Sequence, residues 1–306
     1  MVKILITGGA GFIGSNLAED LCRTDDVVIL DDLSTASDLS KKFVEGLEID
    51  FIKGSINDQD LLKKILADVD YVLHQAAIPS VPRSIEDPLK TNRANVGGTL
   101  TILKASADSG VKKLVYASSS SVYGDTPRLP KIETMESNPK SPYAVSKFVG
   151  EQYVRVFSEI YGLKTTSLRY FNVYGPRQNP FSEYAAVVPK FVYAALQDKQ
   201  LEIYGDGDQT RDFTFVKDVV EANKKAISTG EGSYNIAGGK QITLNDLADL
   251  ILKITGSSSK IIHSAPRKGD VKHSLADISK AKKELHWQPK YTLEQGLKEY
   301  LLSVEK

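Results

Sequence analysis

The chain has 306 residues, 41% of them hydrophobic and 25% charged. That composition excludes collagen-like and disordered classes and allows one large domain, or two moderate ones, around a sizeable core. Lysine plus arginine equals aspartate plus glutamate at 39 each. No overall field therefore draws the chain to nucleic acid or to an anionic membrane, and an anionic ligand needs local positive charge. Cys22 is the single cysteine, which excludes an internal disulfide and a thiolate cluster, and the four histidines lack metal-ligand spacing, so no metal is expected. MVKILITGG is too short an apolar stretch for a signal peptide, and no run of about 18 apolar residues follows to span a bilayer. The reading is a cytoplasmic protein with no membrane partner.

Short β-branched runs alternate with longer amphipathic ones: VKILIT (2–7), VVIL (27–30), IDFI (49–52), YVLH (71–74), KLVYAS (113–118) and TTSLRY (165–170). The alternation predicts βαβ units, and the nearly all-apolar strands predict a parallel sheet covered on both faces. The fold class is therefore α/β, a doubly wound parallel sheet. After Tyr170 the pattern loosens into Gly and Pro clusters at 175–180, 205–209 and 237–240, with helices expected around Ala185–Gln197, Val216–Ser228, Leu244–Thr255 and Leu293–Ser303. This predicts a dinucleotide-binding domain over 1–170, to which 213–230 returns, and a smaller α/β substrate lobe over 171–306.

Directly after the first strand stand Gly8, Gly11 and Gly14, and then the apolar-periodic run SNLAEDL. Glycine lets the backbone turn tightly and lets a pyrophosphate approach the helix N-terminus, the arrangement of a Rossmann dinucleotide site. Asp31 ends the second strand, where a carboxylate accepts both ribose hydroxyls and repels a 2′-phosphate, which favours NAD over NADP. Asp32 beside it reads more readily as a loop-capping Asx residue than as a second ribose contact. Tyr143 and Lys147 sit four apart in a predicted helix and share one face. An ammonium near a phenol stabilises phenolate and makes tyrosine a usable base; the alternative is a plain surface pair. The hydroxyl run Ser118–Ser121 ends the fifth strand, where one hydroxyl can hold a reacting oxygen or simply form a solvated turn.

Together these residues resemble the extended short-chain dehydrogenase/reductase family, and within it the nucleotide-sugar 4-epimerases, over essentially the whole chain. The likeness rests on TGGAGFIG (7–14), HQAA (74–77), SSSVYG (119–124), YAVSK (143–147), RYFNVYGP (169–176), TRDF (210–213) and RKGD (267–270). It implies a Rossmann fold and a catalytic set of Ser119, base Tyr143, and Lys147 as the residue that lowers the tyrosine pKa. It implies NAD contacts from Phe12, Ile13, Ser34, Ser55, Ile56, Gln75, Ala76, Ala77, Asn95, Ser118 and Tyr170 besides the glycines, Asp31, Asp32 and the Tyr-Lys pair. For a UDP-sugar it implies Ser80, Val81, Ser119, Ser120, Tyr143, Asn172, Ala186, Val187, Tyr204, Arg211, Arg267, Asp270 and Ser274. The two arginines offer planar forks for a diphosphate, with a surface salt bridge as the plainer reading of each. The chain departs from the family at Gly54-Ser55-Ile56, where many relatives carry GDI; Ser55 can still bond the adenine amine.

Relatives that dehydrate carry an Asp-Glu pair after the catalytic serine, and decarboxylases a glutamate. Ser120 and Ser121 stand there instead, so proton abstraction from carbon lacks a base and C4 epimerisation is implied. Phrases at 74–84, 183–189 and 269–277 are similar to those of enzymes that epimerise UDP-N-acetylglucosamine, and Ser274 replaces the tyrosine that closes the pocket to acetylated sugars. A UDP-glucuronate 4-epimerase, with Arg83 or Arg177 holding the carboxylate, is the runner-up. A non-catalytic dinucleotide sensor and a net ketoreductase are further alternatives. Apolar stripes on the helices expected over Leu89–Ser109 and Pro142–Ile160 are, by resemblance, a homodimer surface, and otherwise core packing.

Overall fold

A computed structural model describes residues 1–181, 185–266 and 272–304. Seven parallel strands form the main sheet: β1 (Lys3–Thr7), β2 (Asp26–Asp31), β3 (Asp50–Lys53), β4 (Tyr71–His74), β5 (Lys113–Ser119), β6 (Lys164–Tyr170) and β7 (Gly232–Ile236). Their spatial order is β3-β2-β1-β4-β5-β6-β7. The six apolar runs in the sequence become β1 to β6, each within a residue of its expected bounds. Both faces are covered. Ile4, Ile6, Val27, Ile29, Leu73 and Val115 join one core, and Leu5, Val28, Leu30, Val72 and Leu114 join the other, the alternation that a period of two imposes. The direction of winding reverses between β1 and β4, which opens a crevice at their carboxyl ends.

The seventh strand revises the expected division of the chain. The sequence reading returned 213–230 to the sheet; the chain returns further, because β7 pairs with β6 from Gly232↔Thr166 to Ile236↔Tyr170. Ala276, Ile278, Ala281, Leu285 and Trp287 also belong to the core beneath the sheet. Without β7, β6 would present a row of unpaired backbone groups at the sheet edge. GSYNI has too few apolar residues to read as a buried strand, which is why it escaped notice.

The other lobe packs the helices Val187–Leu196, Leu244–Thr255 and Leu293–Val304 around a separate core that includes Tyr174, Phe191, Phe215, Leu247 and Tyr300. Three two-stranded sheets tie it together: Leu201–Tyr204 with Ile261–Ser264, Thr210–Asp212 with Gln241–Thr243, and Val173–Tyr174 with Thr214–Phe215. Phe12 and Ile13, at the start of helix α1 (Phe12–Leu21), pack against this core as well. The glycine turn thus lies where the two lobes meet. The single helix expected over Leu89–Ser109 is broken into Pro88–Asn92, a π-helical segment Arg93–Gly97, and Gly98–Asp108. Two adjacent glycines, Gly97 and Gly98, stand at the junction, and a Cβ on Gly98 would run into Ile56.

Candidate active site

The crevice begins at the glycine turn. Gly8 has φ +69, and a Cβ there would lie 2.7 Å from the Ala76 backbone; a Cβ on Gly14 would lie 2.6 Å from Gly9 Cα. Larger residues cannot hold this turn. Helix α1 starts at Gly11 with no side-chain cap and no acid in its first turn, so its leading N–H groups remain available to an anion. Asp31 is buried, accepting from Ala10 N at 3.0 Å and Leu33 N at 2.7 Å. Burial raises its carboxyl pKa, against the pull of those two amides. Each oxygen keeps a lone pair for a ribose hydroxyl. Asp32 accepts from Ser34 N at 2.9 Å, the Asx turn that the sequence favoured.

A cleft of about 510 Å³ follows, lined by Gly8, Gly11, Phe12, Ile13, Gly14, Asp31, Asp32, Ser34, Ser55, Ile56, Gln75, Ala76, Ala77, Ser118, Tyr143, Lys147 and Tyr170. Three expectations change in detail. Asn95 does not stand in the wall: its amide accepts from Ile78 N at 2.8 Å and donates to Ser146 Oγ at 3.0 Å, so it pins the π-helical segment to the loop after β4. Ser118 turns its hydroxyl away from the cleft and donates to Glu151. Ser55 Oγ accepts from Asn57 N at 3.2 Å. Gln75, Tyr170 and Asn223 share hydrogen bonds at one end of the cleft; Asn223 had drawn no notice in the sequence. Burial pushes the Tyr170 phenol up to about 12, so it serves as a neutral donor.

Helix α2 (Pro142–Tyr161) carries the tyrosine and the lysine. Ser141 caps it by accepting from Ala144 N at 3.1 Å, and Pro142 starts its first turn, which fixes where Tyr143 emerges. Burial raises the Tyr143 pKa, and a hydrogen bond with Ser119 pulls it back in part. Ser119, outside the cleft wall itself, thus acts on it through Tyr143. Lys147 is 4% exposed and donates to the Ala117 carbonyl at 2.7 Å, with its ammonium 5.0 Å from the Tyr116 ring centroid. Burial pushes it down to about 7, while Glu151 pulls it up. The ammonium is thus seated on β5, one helical turn beyond Tyr143. A buried ammonium needs an acceptor, and Ala117 O is the one it reaches.

A second cavity, of about 240 Å³, is lined by Asn172, Ala186, Val187, Tyr204 and Arg211, together with Lys190 and Gln209, which the sequence reading had passed over. Asn172, at φ +34, donates to Asp212 O at 2.8 Å. The Asp212 carboxylate accepts from Ala276 N and Gly239 N at 3.1 Å, and burial holds it up at about 7, so one acid ties three segments of this lobe together. Arg267 and Asp270 lie outside the described residues. Four expected substrate residues stand elsewhere. Ser80 caps helix Val81–Glu86 by accepting from Arg83 N at 3.3 Å, Val81 is 40% exposed, and neither they nor Ser120 nor Ser274 line either cavity. Ser274 N bonds Thr210 O at 3.1 Å, beside Arg211 on the neighbouring strand. Arg177 pairs with Glu19 at 2.8 Å, bonds Ser15, and lies 3.9 Å from the Phe43 ring centroid, which occupies it away from both cavities.

The chemistry on offer is limited by what is missing. Among the described residues lining the larger cleft, the carboxylates are Asp31 and Asp32, both by the glycine turn. Near Tyr143 no acid faces the cleft to take a proton from carbon. No group of side chains among the described residues has the makings of a metal site. None of the described helices is long and apolar enough to cross a membrane.

A family model described as the NAD dependent epimerase/dehydratase family matches residues 4–237. A putative UDP-glucose 4-epimerase of Methanocaldococcus jannaschii is 41% identical over 298 residues, 96% of each chain. A UDP-glucuronate 4-epimerase of Thermodesulfobacterium geofontis is 36% identical, over 96% of this chain and 93% of that one. Among solved structures, a UDP-N-acetylglucosamine 4-epimerase from Methanobrevibacter ruminantium M1, in complex with UDP-N-acetylmuramic acid, is 39% identical with a TM-score of 0.94, over 99% of this chain and 98% of that one.

The buried lysine gives a prediction for stability. Unfolded, Lys147 holds its proton up to about 10.5; folded, it loses it above about 7. Between those values the unfolded chain binds the extra proton, so this group's penalty on the fold grows as pH falls from 10.5 to 7 and is constant below. Lys147→Met should unfold at a higher temperature than the wild type, by a margin that widens over that fall. Calorimetric scans at several pH values test this; a variant less stable at pH 7 would contradict it.

Proposed function

Since the chain belongs to the NAD dependent epimerase/dehydratase family, we propose that it interconverts UDP-N-acetylglucosamine and UDP-N-acetylgalactosamine, and the unacetylated glucose and galactose pair as well. Its activity class is that of an NAD-dependent UDP-sugar 4-epimerase. The observation that carries this reading is the Ser119–Tyr143 pair in a cleft with no carboxylate near it. The acid–base chemistry that this arrangement supports is transfer of a hydroxyl proton, without proton abstraction from a neighbouring carbon.

The glycine turn, the free amides at the start of α1 and the two acceptor oxygens of Asp31 fit the pyrophosphate and ribose of NAD. Bound there, NAD would supply the hydride acceptor and donor for sugar C4. Tyr143 takes the proton of the sugar O4 and later returns it. Ser119 holds that oxygen and eases the phenol's ionisation. Lys147 supplies positive charge where water is excluded, so its field acts at low dielectric. Arg211 and Asn172 hold the diphosphate and nucleoside in the smaller cavity.

For the sugar, the small side chain of Ser274 supports an acetylated substrate, as does likeness to an enzyme named for UDP-N-acetylglucosamine. For UDP-glucuronate, Arg177 is already held by Glu19 and Ser15. The assembly we propose is a homodimer. Ile85, Leu89, Leu100 and Val145 leave apolar surface exposed on four helical segments, two of which, Gly98–Asp108 and α2, pack against each other. A second copy of this face covers them best.

Incubated with UDP-N-acetylglucosamine and no added cofactor, the purified protein should form the galacto epimer, and conversion of UDP-glucuronate alone would overturn the substrate assignment. Tyr143→Phe should lower turnover by about 10²-fold or more, because the proton acceptor is gone. Ser274→Tyr should abolish the acetylated pair first; equal loss of both pairs counts against the role given to Ser274. Sedimentation should give a dimer that Leu100→Glu with Val145→Glu turns into monomers, whereas a wild-type monomer would exclude the interface.

A further inference from the structure

Behind the cleft wall, β5 and α2 are joined by polar contacts. Three consecutive residues of the strand meet three residues of the helix spaced four apart. Ser119 stands beside Tyr143, whose phenol its hydroxyl eases, the Ala117 carbonyl accepts from Lys147, and Ser118 donates to Glu151. Glu151 is 4% exposed and does not line the cleft. Its two oxygens also accept from Arg169 on β6, Nε at 2.8 Å and the second guanidinium nitrogen at 2.7 Å. Arg169 is fixed in turn by Tyr123 Oη at 2.9 Å and the Glu133 carbonyl at 3.2 Å, and Tyr123 donates to Asn235 on β7 at 2.7 Å.

A pair buried this deeply adds little stability over apolar side chains of the same volume, since desolvation offsets the attraction. Its place, one helical turn beyond Lys147, gives it another use. We propose that Glu151, held by Ser118 and Arg169, is a positioning residue that keeps the Lys147 ammonium charged and seated on the Ala117 carbonyl. The inference rests on the reading in which Tyr143 exchanges a proton with the sugar.

The surroundings of Lys147 single out Glu151. On β4, His74 lies between Thr7 and Thr99 and is held neutral, down at about 3. On β5, Tyr116 stays protonated because burial raises it, and the same holds for Tyr143 on α2. Among the described residues Glu151 is the opposite charge that acts on Lys147. Without it, the ammonium would face a desolvated wall with one carbonyl for company.

The test is the charge-removing variant Glu151→Gln, which keeps an acceptor for Ser118 and Arg169. Two quantities are followed against pH: the rate of UDP-sugar epimerisation, and the ionisation of Tyr143, read as tyrosinate absorbance by difference from Tyr143→Phe. Loss of the negative charge makes Lys147 give up its proton at lower pH, and a neutral amine no longer favours the Tyr143 phenolate one helical turn away. The rate profile and the Tyr143 titration should therefore both move to higher pH, by about one unit. The double variant Glu151→Gln with Arg169→Met removes the guanidinium that the single variant leaves without its carboxylate; it should move the same way by less, and it stands in should the single variant not fold. A uniformly lower rate with both midpoints unmoved overturns the proposal, because a purely structural contact would do that. A wild-type protein that converts no UDP-sugar would sink the functional reading instead, while the Tyr143 titration still decides the role of Glu151.

Discussion

The register between β5 and α2 is the constraint on which the rest of the site depends. A helix brings residues onto one face every fourth position, and a strand offers side chains and carbonyls at every position. Here Lys147 and Glu151 on the helix meet the Ala117 carbonyl and the Ser118 hydroxyl on the strand, with Tyr143 one turn ahead of them beside Ser119. Two features hold the match. The Ser141 cap sets where α2 begins, and the left-handed Gly162 ends it before β6 returns alongside β5. A slip of one residue on either element would part both hydrogen bonds together.

Electrostatics follow from that register. The chain as a whole is neutral, so the field in the cleft is made locally and from buried groups. Lys147 is an unfavourable residue to bury, and the fold tolerates it because Ala117 O accepts a hydrogen bond from it and the charge of Glu151, one helical turn on, favours the ammonium. The same logic recurs in the second lobe. Asp212 is buried among backbone amides from the 237–240 turn and from Ala276, and by holding those segments it places Asn172 and Arg211 at one cavity. In both lobes a group withdrawn from solvent fixes residues that line a cavity.

Much of this was legible in the sequence, and the reasons differ residue by residue. Gly8 and Gly14 could be read because backbone geometry excludes every other side chain there, and Asp31 because it ends a strand beside them. Tyr143 and Lys147 could be paired from their spacing, and Glu151 continues that spacing by one more turn, a signal present but unused. β7 was hidden because GSYNI, at the edge of the sheet, lacks the apolar run that marked the inner strands. Where Ser118 and Asn95 point was hidden too, since a strand residue next to a ligand and one turned from it have the same spacing; only the partners Glu151, Ile78 and Ser146 decide. Ser80, expected at the substrate, caps a helix, a common use of a serine ahead of a proline-started helix that the sequence reading had not considered.

The central claim is that hydride leaves and re-enters the same sugar carbon without reaching solvent, while Tyr143 handles the proton. Its most direct measurement uses UDP-N-acetylglucosamine carrying deuterium at C4, incubated with the protein in ordinary water, with the epimeric product examined by nuclear magnetic resonance. The account predicts that the inverted product keeps its deuterium at C4. Product with hydrogen from solvent at that carbon would contradict it.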